Sequence, residues 1–382
     1  MVNQYFFSEI FFFFDIDIIL LDVCVREGGF MFRKFINFFK SIFESECFRE
    51  ALLWENLGDR VQCNLCYRRC VIPDGKFGMC GTRINLGGVL YTVTYGNISS
   101  ISNNPMSKKP FFHFKPDKYA LTVGSWSCNF LCPWCQNYDI SKVKPVKCRY
   151  LSPNDFIRMM QFYGSDGTSF SFNEPSISLF EYSLDVMRIA KRFGYFNTYV
   201  TNGYMTPEAI DLLVKHGLDA ANIDVKGCPD NIGRWTGADV NKVIRSARLL
   251  KEKGVHVEIT TLIIPGVNDS EKCLKYIATR ILEELGDDTP WHVTRYFAAY
   301  KAIEKGLTYA TPIKTVKRAR EIGLETGLKF VYTGNFPDEI GENTYCPNCG
   351  ELLIKRGYPF NVKVLISEPK CPNCGESLPI IL

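Results

Sequence analysis

Cys128, Cys132 and Cys135 fall in the run Ser127-Cys128-Asn129-Phe130-Leu131-Cys132-Pro133-Trp134-Cys135-Gln136-Asn137, a C-x3-C-x2-C spacing. Three thiolates from one short loop can ligate three irons of a [4Fe–4S] cluster and leave the fourth iron without a protein ligand. An open coordination position is where a metal centre does chemistry, as at a catalytic zinc that keeps one non-protein ligand. Taken alone, the same three residues also suit a zinc or redox site, so the rest of the chain has to discriminate.

Two more cysteine sets flank this loop: Cys63, Cys66, Cys70 and Cys80 before it, and Cys346, Cys349, Cys371 and Cys374 after it. Disulfide frameworks belong to small secreted chains, whereas CxxC pairs in a 382-residue chain without a secretory signal read as metal ligands kept reduced in a cytosol. The later set forms two Cys-Pro-Asn-Cys-Gly knuckles and matches a four-thiolate tetrahedral site, with zinc the expected occupant and a single iron, as in rubredoxin, the alternative. Too little apolar sequence surrounds it for a core of its own, so metal binding is expected to stabilise its fold. The earlier set suits zinc or a second, electron-relaying [4Fe–4S] cluster. The nearby Arg68, Arg69 and Arg83 and the short loops tilt the reading toward structural zinc. Cys24, Cys47, Cys148, Cys228 and Cys273 stand apart and read as incidental buried thiols.

With 46% hydrophobic residues the chain can bury a substantial core, and a net charge of +4 is too small to argue for nucleic acid as a partner. Residues 1–55 form a Phe-rich extension. Glu9, Asp15, Asp17 and Asp22 interrupt its apolar run, and each would cost roughly 2.5 to 3.5 kcal/mol at bilayer depth, so no membrane span is expected. It lacks the basic start and cleavage site of a signal peptide, which points to a cytoplasmic protein with a dispensable extension.

Short apolar runs at 119–123, 168–172, 197–200, 220–225, 257–264, 292–297 and 329–333 predict strands. Helical patterns at 153–163, 177–193, 207–216, 240–253, 269–285 and 313–326 lie between them, several opened by a Ser, Thr, Asp or Asn with Pro nearby. This alternation predicts an α/β fold with parallel strands and helical crossovers, whose functional groups gather at the C-terminal strand ends. Those ends carry Asn173-Glu174-Pro175, Thr201-Asn202-Gly203 and Asp224-Val225-Lys226. Glu174 suits recognition of an amine, or else caps a turn. Asp224 and Lys226, two residues apart on a strand, share a face, and two charges inside a sheet are costly unless paired or ligand-bound. His292 and Arg295 follow on the sixth strand, where a guanidinium could fork onto a carboxylate.

With Trp134 directly before the third cysteine, the loop resembles the radical S-adenosylmethionine (SAM) superfamily. From about residue 61 onward the order of Cys63-Asn64-Leu65-Cys66, Gly78-Met79-Cys80-Gly81, Lys109-Pro110-Phe111-Phe112-His113-Phe114, the three-cysteine loop, Asn173-Glu174-Pro175, Ile223-Asp224-Val225-Lys226-Gly227 and Gly341-Glu342-Asn343-Thr344-Tyr345-Cys346 resembles the radical SAM enzymes of the AmmeMemoRadiSam system. That group is similar to pyruvate formate-lyase-activating enzymes.

The resemblance implies a partial TIM-like (β/α)6 barrel at 118–336, a Cys-rich segment at 56–117 before it, and a zinc-ribbon or rubredoxin-like module at 337–382. It implies a [4Fe–4S] cluster on Cys128, Cys132 and Cys135 whose open iron takes the methionine end of SAM. Trp134, Asn173, Glu174, Thr201, Asn202, Asp224, Lys226, His292 and Arg295 become candidate SAM-binding residues, with Glu174 toward the amino group. One electron then splits SAM to methionine and a 5′-deoxyadenosyl radical that abstracts hydrogen from a protein or small molecule. The implied partners are a low-potential donor such as ferredoxin or flavodoxin, and proteins of the AMMECR and Memo families. Glycyl radical enzyme activation is the alternative activity. One departure stands out: the family tends to show Arg-Phe-His-Pro after the sixth-strand histidine, where this chain has Arg295-Tyr296-Phe297-Ala298.

Overall fold

The computed structural model describes residues 45–145, 147–357 and 360–382. Most of the Phe-rich extension, and Cys24 with it, lies outside them. Seven parallel strands form the body of one eight-stranded sheet: β8 (Tyr119–Gly124), β9 (Gly167–Phe170), β10 (Phe196–Thr201), β11 (Ala220–Asp224), β12 (His256–Ile263), β13 (Trp291–Arg295) and β14 (Val331–Gly334). They lie in sequential order, as expected of βα units in which each helix returns the chain to the same sheet end. Six crossovers join them. Both faces are covered, so β8, β9 and β10 are buried nearly throughout, the polar Thr168, Ser169, Asn197 and Thr198 included.

The crossover helices begin where their caps dictate. Ser152, Thr206 and Ser270 each accept a backbone N–H of the first turn, from Asp155, Ala209 and Cys273, and open Pro153–Tyr163, Pro207–Lys215 and Glu271–Leu285. Gly164 ends the first of these at φ 62°, a conformation open to glycine at little cost. The helix expected at 177–193 is two pieces, Pro175–Ser178 and Phe180–Arg192, interrupted at Leu179. Two elements escape the sequence pattern. The strand β7 (Ser100–Pro105), antiparallel to β8, is Ser-Ile-Ser-Asn-Asn-Pro and lacks an apolar run, and helix Pro229–Thr236 is too short to show a period.

Small antiparallel sheets precede the main one: β2 (Trp54–Asn56), β3 (Arg60–Cys63) and β4 (Val71–Pro73) in one, β1 (Arg49–Glu50), β5 (Arg83–Leu86) and β6 (Val89–Thr92) in the other. The boundary expected at residue 55 therefore falls too late, because Arg49 already pairs with Thr92 and Ala51 is buried. Cys47 and Cys148, expected as separate thiols, are joined by a disulfide across 101 residues. Sequence distance hid that pairing.

After β7, residues 106–115 run beneath the main sheet and touch strand after strand. Pro110 O accepts from the Asn222 amide, Phe112 N and His113 N donate to Glu258, and His113 Nε2 meets the Tyr332 hydroxyl at 2.7 Å. Phe114 packs edge-on against Phe196. The C-terminal strands β15 (Thr344–Tyr345), β16 (Leu352–Gly357) and β17 (Asn361–Val364) dock on the same segment, with Arg356 stacked 3.9 Å over Phe112 and Ile381 N donating to His113 O. Contrary to the sequence expectation, these strands do enclose an apolar cluster of their own, including Leu353, Ile354, Ile366, Leu378 and Ile380. No helix among the described residues is long and apolar enough to cross a membrane.

Candidate active site

The three-cysteine loop leaves the C-terminal end of β8, where parallel α/β sheets collect functional groups. Its entry is held by Asn173, whose side chain accepts from Ser125 N at 3.0 Å and donates to Ser127 O at 2.7 Å. That lets Ser127 sit at φ 71°, and its hydroxyl donates to Cys80 O. Further on, Arg68 grips the loop from the N-terminal segment: Nη2 donates to Asn129 O at 2.9 Å and to Thr236 O at 3.2 Å. Lys142 donates to Phe130 O at 2.6 Å, and Leu131 N donates to Thr236 O. The loop is thus fixed from β9, from the helix after β11 and from the cysteine-rich segment.

The thiols carry the features an iron–sulfur ligand set needs. Phe130 N donates to Cys128 Sγ at 3.3 Å, and the Asn202 amide lies 3.7 Å from the same sulfur, as hydrogen bonds that tune a cluster do. Without a metal, burial pushes the Cys128 thiol up to about 12, with the Glu174 carboxylate adding to it. Cys132 is raised by burial too, while Lys226 and Lys142 pull it the other way. A cationic metal centre answers that burden on the thiolates, and three cysteines in one loop with nearby N–H donors fit a site-differentiated [4Fe–4S] cluster.

Glu174 is 2% exposed and already engaged. Its Oε1 accepts from Ser176 N at 3.1 Å and Thr201 Oγ1 at 2.6 Å, and its Oε2 from Asn202 N at 2.7 Å. It therefore caps Pro175–Ser178 and ties the ends of β9 and β10 together, the turn-carboxylate alternative in the sequence reading. Asn173 and Thr201 are likewise spent on protein contacts. Asn202 is the member of this group that reaches the cysteines, with its amide also donating to Asn129 Oδ1 at 2.8 Å.

Asp224 and Lys226 form an ion pair at 2.8 Å with side chains 34% and 21% exposed. Burial works against the Lys226 charge, but Asp224 and the thiols of Cys132 and Cys128 outweigh it and raise its pKa. The pair, with Asp224 at the end of β11 and Lys226 two residues beyond it, thus stands electrostatically against the cysteine loop. Trp134 is buried against Trp235, 5.9 Å between ring centroids, and serves packing.

His292 and Arg295 sit elsewhere. His292 Nε2 is 2.7 Å from Glu258 Oε2 inside the sheet, and His256 meets the other oxygen at 3.1 Å. Burial alone would push Glu258 up, yet the two histidines hold it well below the ordinary carboxylate range. Arg295 Nε donates to Thr311 O and its guanidinium lies over Phe297. Neither residue is brought to the cysteines by these contacts. His292 instead lines a cavity of about 370 Å³ with Phe112, Thr294, Thr333, Asn335, Glu342 and Arg356, none of them from the cysteine loop.

Sequence reasoning missed two residues. Arg68 was read as generic structure, though its position inside the first cysteine set could have flagged a link between the two sets. Lys109 is 6% exposed, with Nζ 4.5 Å from the Phe172 ring centroid and no ion pair or hydrogen bond to that nitrogen among the described residues. Burial, helped by Lys108, lowers it to about 7.

The C-terminal cysteines converge as expected, with all four sulfurs within 4.8 Å of one another, a spacing that suits one tetrahedral ion. Cys63, Cys66, Cys70 and Cys80 share one narrow cavity.

A profile of the Radical SAM superfamily matches residues 126–277. The chain is 40% identical over 320 residues to "Uncharacterized protein MJ0808" of Methanocaldococcus jannaschii, covering 83% of this chain and 94% of that one. It is 29% identical over 163 residues to "Putative glycyl-radical enzyme activating enzyme MJ1227" of the same organism, covering 41% and 66%. Among solved structures, a radical SAM methyltransferase from Sphaerobacter thermophilus aligns at a TM-score of 0.45 and 16% identity over 62% of this chain and 71% of that one. The cysteine loop at the end of the first parallel strand falls inside the segment that the superfamily profile matches, and the chain is an enzyme of the radical SAM superfamily.

Proposed function

We propose that this protein cleaves SAM reductively on a partial TIM-like barrel and uses the resulting 5′-deoxyadenosyl radical to abstract hydrogen from a protein or small-molecule substrate, as an enzyme of the AmmeMemoRadiSam type. The observation that carries the reading is the convergence of Cys128, Cys132 and Cys135 with Asn202 and the Asp224–Lys226 pair at the C-terminal ends of neighbouring strands. A bound [4Fe–4S] cluster supplies the single electron that breaks the sulfonium C5′–S bond. Around it, the chain's own residues have distinct tasks. The N–H of Phe130 and the amide of Asn202 set the charge felt by Cys128, and Arg68, Asn173 and Lys142 hold the loop in one shape. The partly exposed Asp224 and Lys226 face incoming SAM with one charge of each sign, matched to its amino and carboxylate groups.

In this reading the C-terminal thiols hold zinc, a ferredoxin or flavodoxin in the cytoplasm supplies electrons, and AMMECR- and Memo-family proteins are the partners. The similarity to MJ1227 favours a second reading, activation of a glycyl radical enzyme. Anaerobically reconstituted protein given dithionite and SAM should release 5′-deoxyadenosine, and Cys128→Ala, Cys132→Ala and Cys135→Ala should each abolish it. Undiminished product from any of the three sinks the proposal. A glycyl radical signal on a co-expressed glycyl radical enzyme would select the second reading.

A further inference from the structure

The first cysteine set lies directly behind the catalytic loop. Cys63, Cys66, Cys70 and Cys80 line one cavity whose only other polar side chains are Arg68, Arg83 and Asn129. Tight turns present the thiols inward: Cys63 N donates to Cys70 O, Arg69 N to Cys66 O at φ 45°, and Gly81 N to Gly78 O. Two of the polar neighbours are buried to 1% exposure and incompletely bonded. Arg83 spends both terminal nitrogens on Glu181, at 2.8 and 2.9 Å, and its Nε has no partner. Asn129 receives the Asn202 amide on Oδ1, and its Nδ2 has no partner. Unmet buried donors on the wall of a thiol-lined cavity call for an acceptor inside it. An anionic cluster with bridging sulfides supplies one, which the Arg83 Nε–H and the Asn129 amide can meet.

The choice between a cluster and a single ion follows from the protein's other two thiol sets. Among the described residues, only the C-terminal four draw their sulfurs within 4.8 Å of one another, as one tetrahedral ion requires. Cys63, Cys66, Cys70 and Cys80 do not form such a group, and they line one cavity with Asn129 of the cluster-binding loop. The connection to that loop is short. Asn129 follows Cys128 in the chain and lines the same cavity as Cys66, Ser127 bonds to Cys80 O, and Arg68 holds Asn129 O.

We propose that Cys63, Cys66, Cys70 and Cys80 hold a second [4Fe–4S] cluster that passes electrons through Asn129 to the catalytic one, which displaces the structural zinc suggested by sequence. In the relay, a reduced flavodoxin or ferredoxin gives up one electron, the second cluster goes from the 2+ to the 1+ core and returns to 2+, and the catalytic cluster ends one electron reduced. The relay rests on the radical SAM reading above, while occupancy of the site does not. The test is acid-labile sulfide, which neither zinc nor a rubredoxin-type iron contributes. Anaerobically reconstituted full-length protein should carry about eight sulfides per chain, and the Cys128→Ala/Cys132→Ala/Cys135→Ala variant about four, with a dithionite-generated EPR signal unaffected by SAM. Cys63→Ala/Cys66→Ala should also keep about four, with a signal that SAM does perturb. If that variant does not fold, Asn129→Leu serves instead, retaining about eight sulfides while its flavodoxin-driven SAM cleavage falls at least tenfold. Sulfide absent from the triple variant, or zinc in its place, overturns the second cluster. Full sulfide with an unchanged flavodoxin-driven rate in Asn129→Leu overturns the relay. Wild type with about eight sulfides and no SAM cleavage would refute the proposed function and leave the cluster standing.

Discussion

Replacing Glu174 by Gln separates a SAM ligand from a structural tie. The carboxylate accepts three hydrogen bonds, two on Oε1 and one on Oε2, inside a pocket that leaves it 2% exposed. An amide can place its NH2 at either position. Toward Asn202 N it faces one fixed donor. Toward Oε1, Thr201 can rotate its hydroxyl to accept, but Ser176 N cannot, so one backbone N–H is left unmet either way. A hydrogen bond to a charged group contributes about 1.5 to 3 kcal/mol, and an unmet buried donor costs about 1 to 3 kcal/mol. Burial raises the Glu174 pKa, so removing its charge returns part of this, and the net loss is about 2 to 3 kcal/mol. At the roughly 2 to 4 °C per kcal/mol of larger domains, that predicts a drop in Tm of about 4 to 12 °C. SAM affinity should weaken by less than about tenfold, because the effect reaches the cysteines only through Asn202. Melting of cluster-free protein, with SAM titration of reconstituted protein in parallel, checks both numbers. A Tm unchanged to within a degree, together with a hundredfold loss of SAM affinity, would refute the structural assignment and restore Glu174 as a direct ligand.

Lys226→Ala should weaken SAM binding and cost only about 1 kcal/mol of stability, since its ion pair with Asp224 is partly solvated and far from the 3 to 5 kcal/mol of a fully buried one; a large drop in Tm with normal SAM affinity would mark the pair as structural. Protein purified in air should lose its brown absorbance yet keep about one zinc per chain on Cys346, Cys349, Cys371 and Cys374, whereas a red spectrum that vanishes in Cys349→Ser would identify iron. Lys109 has a folded-state pKa lowered from 10.5 to about 7, so its stabilising contribution is full above 10.5 and lost as pH falls through 7. Wild-type stability should therefore rise between pH 7 and 10.5, and Lys109→Met should abolish that rise and be more stable at pH 7 by on the order of a few kcal/mol, read by denaturant melts at both pH values.

The seven parallel strands were legible from their regular alternation with helices that carry their own caps in Ser152, Thr206 and Ser270, although Gly167–Phe170 and Phe196–Thr201 mix polar with apolar residues. The edge strand Ser100–Pro105 was not, since it pairs on one side only and its residues are polar. Sequence could not show that residues 106–115 run under the sheet either. That placement depends on Glu258 accepting two backbone N–H groups from 146 and 145 positions away, a contact between one strand and an irregular segment with no periodic trace. Cys47 and Cys148 escaped for the same reason.

For the site, residue type proved a better guide than assigned role. Asn173, Glu174 and Thr201 stand where strand-end reasoning puts them, but their side chains are consumed in shaping the ends of β9 and β10. A carboxylate in a turn has the same sequence signature whether it binds a ligand amine or neighbouring N–H groups, because both are hydrogen-bond donors. Only the count of filled acceptor positions separates them, and that count is three-dimensional. His292 illustrates the converse. Its strand was predicted correctly, yet Glu258 on the neighbouring strand captures the imidazole at 2.7 Å and turns it into part of the buried support for residues 106–115. Asp224 and Lys226 differ because their exposure leaves polar atoms free for a ligand, and their field reaches Cys132. Under the proposed function, chemistry concentrates where charge remains partly solvated beside the thiols, and the fully buried polar groups around it hold the strand ends in register.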